Sequence, residues 1–137
     1  APEVTQLIRD ALSQRQADFV CLNFANTDMV GHTGVFSAAV KAAETVDECL
    51  QKVVETALFN GYVSIVIADH GNADTMINPD GTPNTAHTMN PVPIVVVAPQ
   101  HNYSVLSGGK LADIAPTILH IMDIPVPSEM TGQNLVV

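Results

Sequence analysis

Five side chains stand where apolar runs give way to loops, and their types suit a metal ion. Asp28 and His32 are four apart in Asn26-Thr27-Asp28-Met29-Val30-Gly31-His32-Thr33-Gly34. Asp69 and His70 follow directly on the apolar run Tyr62-Val63-Ser64-Ile65-Val66-Ile67-Ala68, and His87 lies in Asn84-Thr85-Ala86-His87-Thr88. A separation of four puts two side chains on one side of a helical turn or tight loop. Gly31, Gly34 and Gly71 beside them permit close backbone approach to another group. Two carboxylates and three imidazoles, without a thiolate, suit manganese or zinc better than magnesium or calcium. Five ligands exceed the need of one four-coordinate ion. With one or two further oxygens they would hold a pair of ions about 3.5–4 Å apart, as in two-metal phosphoryl chemistry.

Each residue also has a blander reading. Asp28 alone is a turn or capping residue, and His32 alone is a loop histidine. Asp69 and His70 end a buried strand, where an acid needs a partner that a neighbouring loop could supply. His87 in isolation says nothing. Their common position at one edge of the inferred sheet is what favours a site. His101, in a polar loop, and His120, near a helix C-terminus that favours partial positive charge, are left outside it.

The elements that must place these residues can be read from periodicity. Val4, Leu7, Ile8, Ala11 and Leu12 recur at helical spacing, with Pro2 suited to a first turn, and predict a helix over 2–16. Residues 18–24 read as a short buried strand, and 25–34 as a loop. Phe36, Ala39, Val40, Ala43, Val46, Leu50, Val53 and Ala57 form one stripe of a helix over 36–59, closed by Asn60-Gly61. The run 62–68 is the next strand, so strand–loop–helix–strand predicts a parallel crossover. In an open α/β sheet, ligands bind at the carboxyl ends of such strands. Residues 74–78 suggest a short strand before a turn at 79–83, and 93–99 a third buried strand with prolines at its ends. An edge strand is expected near 103–105. Asp113 should cap a helix over 114–122, and the tail 135–137 should add a second edge strand. The fold class is therefore α/β, three-layer, with a mostly parallel sheet flanked by helices, in one domain over 1–137.

Composition bounds the function. A chain of 137 residues with 47% hydrophobic and 14% charged residues has the make-up of one globular domain. A net charge of −9, with only Arg9, Arg15, Lys41, Lys52 and Lys110 as bases, argues against nucleic acid. No apolar run has the ~18 residues of a membrane span. Cys21 and Cys49 form no CxxC, and both are expected as buried reduced thiols. The start, Ala1-Pro2-Glu3-Val4-Thr5, has neither Met nor a signal-peptide pattern and reads as a cut inside a longer chain.

The stretch from Asn23 to Gly34 resembles a signature of cofactor-independent phosphoglycerate mutases of the bacterial and plant type. So do Ala68-Asp69-His70-Gly71-Asn72-Ala73-Asp74, Thr85-Ala86-His87-Thr88-Met89-Asn90-Pro91-Val92-Pro93, Leu111-Ala112-Asp113-Ile114-Ala115-Pro116-Thr117 and Glu129-Met130-Thr131-Gly132. The resemblance runs through nearly the whole chain in order; Thr27 departs from the family's usual proline or glycine. It implies an alkaline-phosphatase-like domain, present in part. It implies two Mn2+ ions, with zinc or another divalent ion as substitutes: one held by Asp28, His32 and His87, the other by Asp69 and His70 with a serine and an aspartate. That serine is the nucleophile, taking the phosphoryl group of 3-phosphoglycerate and returning it to the 2-position. Ser13, Ser37, Ser64, Ser104, Ser107 and Ser128 do not stand in its context, so no catalytic nucleophile is expected here. The implied whole is a cytoplasmic, monomeric glycolytic isomerase with a phosphoglycerate substrate, of which this chain is an inactive C-terminal piece. Its rivals are another alkaline-phosphatase-superfamily enzyme, such as a phosphopentomutase or phosphatase, and a non-catalytic metal-binding module.

Overall fold

The computed structural model describes all of residues 1–137. Helix α1 spans Pro2–Ser13, α2 Asn26–Gly31, α3 Phe36–Phe59 and α4 Ile114–Ile121. A short 3-10 turn, Leu111–Asp113, leads into α4. The strands are β1, Ser64–Ile67, and β2, Ile94–Val97.

The long helix α3 is the platform. Both α1 and α2 pack along it, over a seam where Ala39, Ala42, Cys49 and Ala57 are buried. Small residues along that seam let the neighbouring helices approach closely. Arg9 Nε donates to Thr56 Oγ1 at 3.0 Å, tying α1 to α3. The buried seam is rotated from the expected stripe, since Phe36 and Val40 are exposed. Beyond α3, Tyr62 Oη donates to the Ala17 carbonyl and Arg15 Nη2 to that of Asn60, holding the α1 exit against the entry to β1.

The α/β class is borne out, but the pairing differs from the expectation of a mostly parallel sheet. The sheet has two strands, β1 and β2, paired antiparallel with Ser64 opposite Val97 and Ile67 opposite Ile94. The reason lies in the connection. Residues 68–93 contain no crossover helix, so the chain leaves β1 at one end and re-enters β2 from that same end. Residues 18–24, expected as a strand, join no ladder. They keep a strand's alternation, with Val20, Leu22 and Phe24 half-buried and Phe19, Cys21 and Asn23 exposed, but no neighbour offers them backbone partners. Cys21 is accordingly exposed, against the expectation of a buried thiol, whereas Cys49 is buried.

Elsewhere the expectations are met in reduced form. Ile77 and Pro83 bridge across the turn at 79–83, and Val105 bridges Val136, joining the two anticipated edge segments. Asp113 does not cap α4 with its side chain. Its carboxylate accepts the backbone amides of Lys110 (2.8 Å) and Gln133 (2.9 Å), anchoring the C-terminal tail to the start of that helix.

The chain exposes 8989 Å², whereas a compact monomer of its mass would expose roughly 6,900 Å². Only 15 of 137 residues are buried, so the core is thin for this length. Large apolar side chains are among the exposed residues: Val95 of β2 is 51% exposed and Phe59, at the end of α3, 89%. A two-stranded sheet with α3 against part of β1 leaves strand faces that a full three-layer sandwich would cover. No helix is long and apolar enough to cross a membrane.

Candidate metal centre

Because β1 ends and β2 begins at the same edge, the loops 68–75 and 84–93 lie side by side there. Helix α2 joins them, packed on the start of α3. The loop expected at 25–34 in fact holds this six-residue helix, with Asp28 inside it and His32 at its C-cap. One helical turn therefore sets both side chains on one face. Gly31 between them is buried because the Asn72 side chain lies where a Cβ would sit.

Asp28, His32 and His87 converge. His32 Nε2 and His87 Nε2 each lie 3.2 Å from Asp28 Oδ1 and 3.1 Å from one another. These three donors form a group able to hold a metal ion. Ligand atoms on adjacent vertices of a tetrahedron with 2.0–2.1 Å bonds are about 3.3 Å apart, close to the observed edges.

The proton inventory points the same way. His32 Nδ1 lies 2.7 Å from the Thr85 carbonyl oxygen, which can only accept, so Nδ1 carries the hydrogen. In the neutral ring Nε2 then presents a lone pair to Asp28 and His87. Asp28 Oδ1 is buried and receives no hydrogen bond. A carboxylate oxygen facing an imidazole lone pair is repulsive unless a positive charge, a metal ion or a proton, lies between them. The donor set thus fits a divalent ion.

Asp69 and His70 stand beside this group and outside it. The His70 ring stacks on His87 with centroids 3.8 Å apart, and its Nε2 lies 3.7 Å from Asp69 Oδ2. The Asp69 side chain is 76% exposed, open to whatever lies beyond this edge.

Sequence reasoning overlooked the polar residues that hold the loops. Asp74 accepts from Asn90 Nδ2, from Thr88 Oγ1 at 3.0 and 3.2 Å, and from Thr75 Oγ1 at 3.3 Å. These bonds, that of Asn90 foremost, hold the Asp74 carboxyl below its usual range. Asn84 Nδ2 donates to the Thr75 carbonyl and its N–H to that of Met76. Asn72 is buried with its Nδ2 unpartnered. The available signal was a run of Asn, Asp and Thr without period beside each proposed ligand.

The α/β scaffold and a histidine–carboxylate centre at its loop edge define a metal-dependent enzyme class. The chain belongs to the metalloenzyme superfamily, which matches residues 1–126. Within it, the chain is 55% identical over 135 residues to the 2,3-bisphosphoglycerate-independent phosphoglycerate mutase of Flavobacterium psychrophilum, covering 98% of this chain and 26% of that protein. It is 53% identical over 137 residues to the mutase of the same name from Clostridium botulinum, covering 99% and 27%. A phosphoglycerate mutase of Leishmania mexicana, crystallised at low cobalt concentration, superposes with a TM-score of 0.89 at 29% identity, over 99% of this chain and 28% of that one. The fold is thus the alkaline-phosphatase-like one, present in part, and the chain spans about a quarter of the length of the relatives it matches.

Proposed function

We propose that this chain is the C-terminal metal-binding segment of a phosphoglycerate mutase that interconverts 3-phosphoglycerate and 2-phosphoglycerate through a phosphoserine at a two-manganese site. The observation that carries this reading is the convergence of Asp28, His32 and His87 in a chain that aligns over 98% of its length with a mutase. Asp28, His32 and His87 would hold one ion. Asp69 and His70 would hold the second, with a serine and an aspartate from residues outside this chain. Bound there, divalent ions supply positive charge to a transferring phosphoryl group and favour the ionised form of the attacking hydroxyl.

This chain's residues prepare that chemistry. Thr85 fixes the His32 tautomer, and α2 fixes the spacing of Asp28 and His32. The stacked His70 ties the second pair of ligands to the first. The exposed Asp69 and the uncovered sheet faces fit completion by the rest of a longer enzyme, whose nucleophile and substrate-binding cations are absent from these 137 residues. The isolated chain would take up metal without transferring phosphoryl groups. With a net charge of −9 it is no nucleic-acid binder, and its setting is a monomeric cytoplasmic enzyme.

The test uses the full-length protein. Asp28→Ala and His87→Ala should each severely weaken, without erasing, Mn2+ binding and sharply reduce 3-phosphoglycerate isomerisation. Wild-type turnover in either variant would refute the assignment, and turnover of ribose 1-phosphate in place of 3-phosphoglycerate would move the enzyme to another branch of the superfamily.

A further inference from the structure

His87 is the one member of the converging triad with no regular secondary structure around it. Asp28 lies in α2 and His32 is its C-cap, whereas residues 84–90 are loop apart from one bridging residue, Thr88. The His87 imidazole is half-exposed; its ring nitrogen lies within hydrogen-bond distance only of His32 and Asp28, and the His70 ring, itself on a loop, stacks on its face. Something else must hold its backbone, because an unanchored loop would let the ring leave the triad.

The anchor acts on Thr88 and Asn90, one and three residues beyond His87. The Asp74 carboxylate gathers the side chains of Thr88 and Asn90, and Asn90 Nδ2 also reaches Thr75 Oγ1 at 3.3 Å. The Thr88 N–H donates to the Gly71 carbonyl at 2.8 Å, so the same residue is pinned through backbone and side chain. Gly71 is needed for this closeness, since a Cβ there would overlap Thr88 Oγ1 and crowd Asp74 Oδ1. An ionised carboxylate is acceptor-only with several lone-pair sites, so it can serve three donors at once, and its charge strengthens each bond. A neutral side chain of the same size lacks that capacity.

We propose that Asp74 is a positioning residue for His87: its carboxylate latches the His87 loop to the loop that carries Asp69 and His70, setting His87 Nε2 against Asp28 and His32. This rests on the reading of those three residues as a metal site. Asp74 lies outside the ligand set and acts only through Thr88 and Asn90. Residues that orient ligands in this way change metal affinity by about 10- to 100-fold when removed.

Equilibrium dialysis of the full-length protein against Mn2+ and Co2+, with circular dichroism and thermal melting on the same samples, tests the latch. Asp74→Ala and, separately, the exposed Asn90→Ala should each weaken binding by about 10- to 100-fold while leaving the dichroism spectrum unchanged. In a His87→Ala background, Asp74→Ala should add no further loss, because its effect passes through His87. Asp74→Asn should also weaken binding, and adding Asn90→Asp, which exchanges donor and acceptor, should recover most of the loss. Wild-type affinity in Asp74→Ala and Asn90→Ala, or an equal loss with and without His87, overturns the latch alone. Failure of the wild-type protein to bind either ion overturns the metal-site reading and the latch together.

Discussion

Asp28 and Asp113 are both aspartates that turn carboxylate oxygens toward other segments of the chain, and their surroundings are opposite. Asp113 is 5% exposed and accepts two backbone amides, from Lys110 and Gln133. Beside it Thr117, fully buried, donates to the Asp113 carbonyl at 2.7 Å and accepts the Leu135 amide at 2.9 Å. The C-terminal tail, with Val136 only 1% exposed, is stitched to α4 through these polar atoms. At the ligand edge the Asp28 side chain is 35% exposed, yet its Oδ1 is buried without a donor and faces two imidazole nitrogens. One acid completes the fold; the other keeps an orphaned oxygen, which the proposed cation would satisfy. A buried acceptor without a donor is destabilising by itself, which is what the proposed metal-ligand role of Asp28 would account for.

The contrast can be broken by exchanging the consequences. In the full-length protein, Asp28→Ala should lower mutase turnover about a thousandfold, given the several kcal/mol a metal ion contributes to such transition states. Its metal-free melting temperature should not fall, since no hydrogen bond to Oδ1 is lost. A large drop in that temperature would show Asp28 to be a structural residue after all. The Asp74 latch comes next, at about 10- to 100-fold in metal affinity.

Thr117→Val should do the reverse. It keeps the shape, removes a hydroxyl that serves two buried bonds, and should cost about 1–3 kcal/mol in denaturant unfolding, with metal affinity unchanged. The smallest effect concerns pH. The amides of Gln133, and then of Lys110, hold the Asp113 carboxyl below its ordinary range. A depressed value means stabilisation that is fully present above the unfolded value, about 3.9, and lost as pH falls through the native one. Thermal melting of wild type and Asp113→Asn should therefore differ by a constant amount above about pH 5. The gap should close as pH falls below about 4, and a gap that persists in stronger acid would remove the carboxylate from its role as anchor.

What could be read in advance was local. The apolar spacing in 2–12 and 36–57 predicted α1 and α3, because a helix closes its hydrogen bonds within four residues. The edge segments near 105 and 136 were foreseen as well, and they pair with one another. Helix α2 was missed because Gly31, Gly34 and the polar Asn26-Thr27-Asp28 carry loop chemistry, and the turn forms by packing on α3. Residues 18–24 have a strand's alternation yet no ladder, since pairing depends on a neighbour far away in sequence or beyond this chain.

The five proposed ligands were legible as types and spacings, and Asp28 with His32 even as a pair. Their meeting with His87, 55 residues further on, was a matter of tertiary structure. The order of residues determined which donors the chain carries and which segments could coil. Only the folded arrangement decided that β1 and β2 run antiparallel, that two loops therefore share an edge, and that Asp74 joins them. Helical periodicity is written in neighbours, whereas a metal site and the carboxylate that steadies it are made of distances between strangers.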